Sequence, residues 1–103
     1  MKNMGDILRQ AQVMQNKLNK MQQEMGGREF EAASGGGMVT ARVSGRQELL
    51  VLLIDPKALE GGDVEMLQDL ILAAVNEALR IAKDSVEREM NALTGGIKLP
   101  GML

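Results

Sequence analysis

Lys2, Arg9, Lys17 and Lys20 are the residues of this 103-residue chain whose types and spacing most directly suggest a chemistry. On a helix advancing 100° per residue, Lys2, Arg9 and Lys20 fall within roughly 20° of one another, with Lys17 about 60° away, all opposite an apolar seam. A stripe of long cations can hold phosphates, and the surrounding Gln10, Gln12, Gln15, Asn16, Asn19, Gln22 and Gln23 can add hydrogen bonds to sugars or base edges. Asp6 and Glu24 interrupt the stripe. Arg42 and Arg46, on the polar face of a later strand and in the turn after it, extend the same surface. The competing account is a solvated helix face kept soluble by lysine. Net charge favours it: the formal value is −2, and the second long helix exposes Glu65, Asp69, Glu77, Asp84 and Glu87 against Arg80 and Lys83.

Other chemistries are closed off by what the chain lacks. With no cysteine there are no thiolate nucleophiles, disulfides or thiolate zinc sites, and with no histidine the commonest general base and metal ligand is missing. Carboxylates at helix-surface and cap positions read as solvated charge, so no catalytic residue, metal or cofactor is expected, nor a small-molecule substrate. The triple glycine Gly35-Gly36-Gly37 is no phosphate loop, because such a loop opens a helix and this one runs into Met38 and a strand. It reads as a turn between strands.

The basic stripe needs a helix to carry it. Met4, Ile7, Ala11, Met14, Leu18, Met21 and Met25 alternate at intervals of three and four, the a/d pattern of a coiled coil. A helix from Met4 to Met25 would be roughly 30 Å long at ~1.5 Å per residue, about the width of a domain this size, so it must project or pack on another long helix. The second helix is expected over 64–93. There Leu67, Leu70, Ile71, Ala74, Val75, Ala78, Leu79, Ile81, Ala82, Val86 and Leu93 fill nearly half the circumference. An arc that wide exceeds what one short sheet can cover, which points to a second copy of the chain; the simpler alternative is a monomeric α+β domain.

Between the helices the pattern changes to period two. Phe30-Glu31-Ala32 is a short, weak strand. Met38 to Ser44 alternates, with Val39, Ala41 and Val43 on one face and Thr40, Arg42 and Ser44 on the other. Leu49 to Ile54 is apolar at every position, as expected of a strand covered on both sides or lying at a subunit contact. Asp55-Pro56 ends it. Asp63 is a suitable N-cap for the second helix, and Thr94-Gly95-Gly96 a stop before the tail 97–103. The fold class is α+β, a single domain over 1–103 with two long helices flanking a three-stranded antiparallel meander.

Size and composition agree with a soluble protein small enough to gain from oligomerisation, at 45% apolar and 25% charged residues. No apolar run approaches membrane-spanning length, and the N-terminal residues lead into an amphipathic pattern rather than a signal peptide. A cytoplasmic protein without a membrane partner is expected. The nine methionines could line an adaptable groove for a partner protein, but Met4, Met14, Met21 and Met25 sit at seam positions, where ordinary packing accounts for them.

Five strings in order complete the reading. They are Gln10-Ala11-Gln12-Val13-Met14-Gln15, the triple glycine with Val39 two residues beyond, Ile54-Asp55-Pro56, the segment Leu67-Gln68-Asp69-Leu70-Ile71-Leu72-Ala73-Ala74-Val75-Asn76-Glu77-Ala78, and the closing Thr94-Gly95-Gly96-Ile97-Lys98-Leu99-Pro100-Gly101-Met102. Together they resemble the YbaB/EbfC family of bacterial nucleoid-associated proteins over nearly the whole chain. The resemblance implies an α-β-β-β-α protomer, an intertwined homodimer with helices projecting like tweezer arms, and binding to double-stranded DNA at the bacterial nucleoid, with effects on nucleoid organisation and gene expression. It carries over no catalytic motif and no DNA-contacting signature. The contact residues Lys2, Arg9, Lys17, Lys20, Arg42 and Arg46 therefore rest on charge placement alone. A helical-dimer module that clamps or escorts another protein, with no direct role at DNA, is the alternative.

Overall fold

The computed structural model describes residues 3–93. Helix α1 spans Met4–Gly26, strands β1, β2 and β3 span Glu29–Ser34, Val39–Ser44 and Leu49–Ile54, and helix α2 spans Val64–Leu93. The strands form an antiparallel sheet in the order β1-β2-β3. The α-β-β-β-α order is the one expected from the sequence. Lys2, the helix stop at 94–96 and the tail 97–103 lie outside the described residues.

The core forms where two periodicities meet. Val39, Ala41 and Val43 point from one face of β2, and Ala74, Ala78 and Ala82 recur at four-residue spacing on α2. Alanines bring the helix backbone close to the sheet, and larger residues fill the margins: Phe30 and Ala32 from β1, and Leu67, Leu70, Ile71, Val75 and Leu79 from α2. α2 thus lies over β1 and β2. Fully burying one valine of that core contributes about 1.5–3 kcal/mol.

β1 is longer than the sequence suggests. All six of its residues pair with β2, Glu29 opposite Ser44 through Ser34 opposite Val39. Its weak propensity is overridden by pairing and by the packing of Phe30 and Ala32 under α2. The triple glycine links β1 to β2 as a 3-10 turn in which Gly35, Gly36 and Gly37 all have positive φ. At Gly35 the demand is double, since φ is +60° and a Cβ would lie 2.8 Å from Leu70 Cδ2. The Ser34 hydroxyl next to it donates to the Leu70 carbonyl, tying the turn to α2.

Ser44, expected on the polar face, is buried instead. The register of β2 against β3 slips between Arg42 and Val43, and the Ser44 hydroxyl accepts from the Arg46 and Glu48 backbone N–H groups at 3.2 and 3.3 Å. It organises the β2–β3 turn from inside.

β3 resolves the question left by its uniformly apolar sequence. Within the protomer it is covered on neither face: Leu49, Leu50, Leu52, Leu53 and Ile54 are all exposed, Leu53 at 55%. Leu52 and Ile54 stand opposite Ala41 and Val39, on the face that α2 covers farther along the sheet, yet α2 stops short of them. The wide apolar arc of α2 is likewise incompletely buried at its edge, where Leu79 and Val86 are half-buried and Leu72, just outside the arc, is exposed at 58%. These three recur every seven residues on the flank turned away from Leu70.

α1 projects. The molecule measures 74 × 20 × 17 Å, α1 packs along no other element, and of its residues only Met25 and Gly26 are buried. The seam runs from exposed at its tip (Met4, 69%) through Ile7, Ala11 and Met14 to half-buried Leu18 and Met21 near the base. The helix starts where Asn3 Oδ1 accepts from the Asp6 N–H at 3.0 Å, and ends where the Gly27 and Arg28 N–H groups bond to the Gln23 and Met25 carbonyls.

Candidate nucleic-acid interface

Three lanes run along α1. The apolar seam is one. A second, about 40–160° on the same wheel, carries Gln12, Gln15, Asn16, Asn19, Gln22 and Gln23. Within it the Gln15 side-chain amide donates to Asn19 Oδ1 at 3.2 Å. The third holds the cations. Arg9, Lys17 and Lys20 are exposed, and none is in an ion pair among the described residues. An unpaired ammonium or guanidinium on a projecting helix keeps its full field for an incoming anion.

Lys17 departs from the expected position. It does not lie opposite the seam, but shares with Arg9, Gln10, Val13 and Met14 a shallow groove of ≈ 210 Å³ that is mostly apolar. The basic and apolar lanes therefore meet along this edge. Val13, one turn from both Arg9 and Lys17, places an exposed apolar side chain between the two charges.

Arg42 and Arg46 separate. Arg42 stands directly across the β1–β2 ladder from Glu31, with Nη2 3.1 Å from Glu31 Oε1 and Nε 3.8 Å from Glu29 Oε1. Two carboxylates thus meet its charge, and the expected extension of the basic surface over the sheet is cancelled there. Arg46 is in no ion pair among the described residues and lies at the base of the arm. With Asn19, Gln22 and Gln23 it lines a polar notch of ≈ 290 Å³.

Close backbone approach makes that notch. A Cβ on Gly45 would come within 1.9 Å of the Met25 carbonyl oxygen, so only glycine lets the β2–β3 turn touch the end of α1. The Gly45 N–H also donates to the Arg28 carbonyl at 2.9 Å. A Cβ on Gly26 would meet Arg46 Nε at 2.9 Å and Cγ at 3.1 Å, showing that the arginine stem crosses the helix at that glycine.

Arg28, not singled out from sequence, follows α1 and sits 3.9 Å from Glu89 of α2. On α2 itself one cation is held between two carboxylates. Arg80 is bonded to Glu77 and Asp84, and its hydrogen bond holds the Glu77 carboxyl below its ordinary range while Glu77 raises the guanidinium. None of this was readable as a site, since i,i+3 and i,i+4 pairs are ordinary helix-surface features.

Comparison with known proteins adds a family, relatives and a fold. The family model described as the YbaB/EbfC DNA-binding family matches residues 1–97. A protein of Moorella thermoacetica named nucleoid-associated protein is 52% identical over 101 residues, covering 98% of this chain and 97% of its own. A protein of Pelotomaculum thermopropionicum with the same name is 48% identical over 100 residues, covering 97% and 95%. Among solved structures, the crystal structure of uncharacterized protein HP0035 from Helicobacter pylori aligns with a TM-score of 0.78 at 22% identity, over 92% of this chain and all of that one. At that identity it speaks for the fold alone.

Proposed function

The chain belongs to the YbaB/EbfC DNA-binding family, and from that premise we propose that it binds duplex DNA as a homodimer, mainly through phosphate contacts, in the bacterial cytoplasm and at the nucleoid. The observation that carries the reading is the arm: a helix projecting from the body with Arg9, Lys17 and Lys20 exposed and unpaired by carboxylates. Lys2 continues the stripe by sequence, outside the described residues. Its relatives' name, nucleoid-associated protein, supports the same place of action, with DNA organisation and gene expression as its consequences. No catalytic role is proposed.

Two apolar surfaces that the protomer leaves uncovered support the homodimer. β3 is exposed on both faces, and the flank of α2 carrying Leu72, Leu79 and Val86 is only partly buried. A long apolar edge strand left bare would aggregate. A symmetric copy covers both surfaces at once and leaves the arms free to present two basic stripes to one duplex. Light scattering on the purified protein tests the dimer directly.

Fluorescence anisotropy of a labelled duplex, titrated with nuclease-treated protein across a salt series, tests the DNA reading. If a dimer makes about six phosphate contacts, log affinity falls against log salt with a slope of about −5. A flat response, or no binding at low salt, overturns it. Duplex is preferred over single strands because Phe30 is the sole aromatic and single-strand platforms stack bases on aromatic rings.

One feature favours a second reading, a protein-interaction module. Met4, Ile7, Leu8, Val13 and Met14 leave the outer half of the arm with exposed apolar side chains suited to a partner helix. Stoichiometric capture of one protein after nuclease treatment, without DNA affinity, would favour that module.

A further inference from the structure

We propose that the notch at the base of the arm is a slot for one backbone phosphodiester, with Arg46 as its cation and the amides of Gln22, Gln23 and Asn19 as accessory donors. This rests on the DNA reading and adds to it a fixed point: the arm stripe attracts the duplex anywhere along its length, whereas the slot sets where the backbone enters.

Four features of the notch carry the inference. Its lining is one guanidinium and three neutral amides, with no carboxylate, so the side chains that an anion would meet there offer donors and no ionised acceptor. Its volume, ≈ 290 Å³, admits a phosphodiester group, which is far smaller. Arg46 is in no ion pair among the described residues, whereas Arg28, Arg42 and Arg80 each face a carboxylate. Its backbone is also held in advance. The Arg46 N–H bonds to the buried Ser44 hydroxyl, Gly45 is pressed against the Met25 carbonyl, and the absence of a side chain at Gly26 lets the Arg46 stem cross α1. A planar guanidinium delivered this way can take two phosphate oxygens at once, which a lysine cannot.

Arg46 also lies near the C-terminus of α1, where a cation stabilises helix carbonyls without any ligand. The salt slope separates the two roles, because only a phosphate contact releases counterions. The test uses full-length protein and a labelled duplex across a salt series, comparing wild type, Arg46→Gln, Arg46→Lys, Gln23→Ala and the charge-matched control Lys57→Gln at the opposite end of β3. Circular dichroism confirms that each is folded. For a dimer, Arg46→Gln is expected to reduce the magnitude of the slope by about 1.8, roughly 0.9 per protomer, and to weaken binding about tenfold at moderate salt. Arg46→Lys keeps the slope but binds about threefold more weakly. Gln23→Ala also weakens binding, with the slope unchanged, and Lys57→Gln leaves both near wild type.

Wild-type affinity and slope in Arg46→Gln would overturn the slot while leaving DNA binding intact. Weaker binding with an unchanged slope would do so too, assigning Arg46 to holding the arm. Absence of duplex binding by the wild type would remove the DNA reading itself.

Discussion

The arm and the body of this protein are each built on a long amphipathic helix, and the two helices are held in opposite ways. α2 is anchored through Ala74, Ala78 and Ala82 to a sheet whose central strand is fully buried on one face. α1 has two buried residues, both at its last turn. Its helicity therefore rests on propensity, on the Asn3 cap and on whatever covers its seam, since most helical stability in proteins comes from packing of an amphipathic face. Burial is divided in space: the body holds the packed core, and most of the arm's surface is left uncovered by its own protomer, which is what the proposed contact with DNA requires.

The joint between them is where the comparison breaks most easily. Gly45→Ala drives a Cβ into the Met25 carbonyl, backbone against backbone, so no rotamer change can relieve it. We expect a loss of about 3 kcal/mol, at the upper end of overpacking costs, read by chemical denaturation. Tolerance of alanine there would mean that the arm leaves the body along another path. In the body itself, Val43→Ala removes part of a fully buried side chain and should cost about 2 kcal/mol. A comparable truncation at exposed Val13 of the arm should stay within about 0.5 kcal/mol in a monomer. A larger penalty at Val13 that grows with protein concentration would place that side chain in an interface.

β3 sharpens the contrast differently, since it belongs to the body yet is as bare as the arm. Lysine in place of Leu52, on the sheet face beside α2, leaves the protomer core untouched because Leu52 is already partly exposed. Charge at a contact between copies should weaken the dimer about a hundredfold, the equivalent of roughly 2.7 kcal/mol. Light scattering at decreasing concentration reads the shift. A Leu52→Lys protein that stays dimeric would move the contact off this face.

Much of this architecture was legible in the residues. The span of α1, the start of α2, the alternation of Val39, Ala41 and Val43, and Asp63 as a cap all follow from local pattern, and local pattern is what sets helices and turns. The misses share one cause, contacts between segments distant in sequence. β1 extends to Ser34 because β2 pairs with it; Arg42 is neutralised because register sets it opposite Glu31; Ser44 turns inward because the strand slips beside it. Register is not fixed by composition when strands are short and the pattern is weak. The notch at Arg46 was half visible: the arginine was legible, but its neighbours depend on the close approach of Gly45 to Met25. Basic residues could be counted from sequence, but which of them are already paired could not.

Arm and body helices begin with caps of matching hydrogen-bond geometry. Asn3 Oδ1 accepts from the Asp6 N–H and Asp63 Oδ1 from the Met66 N–H, both at 3.0 Å and both exposed. Locally the bonds are equivalent, each contributing about 1 kcal/mol to its helix. Their global effects should differ, because a cap counts toward the folding of a unit only when its helix melts with that unit. Asp63→Ala should lower the denaturation midpoint of the whole protein, since α2 cannot fray far without uncovering Ala74 and the sheet. Asn3→Ala should leave that midpoint in place and instead reduce helicity at 222 nm and amide-exchange protection in the first turns of α1, the signature of local opening. Equal global losses from both variants would show that the arm folds as one unit with the body, which requires its seam to be packed by a second copy.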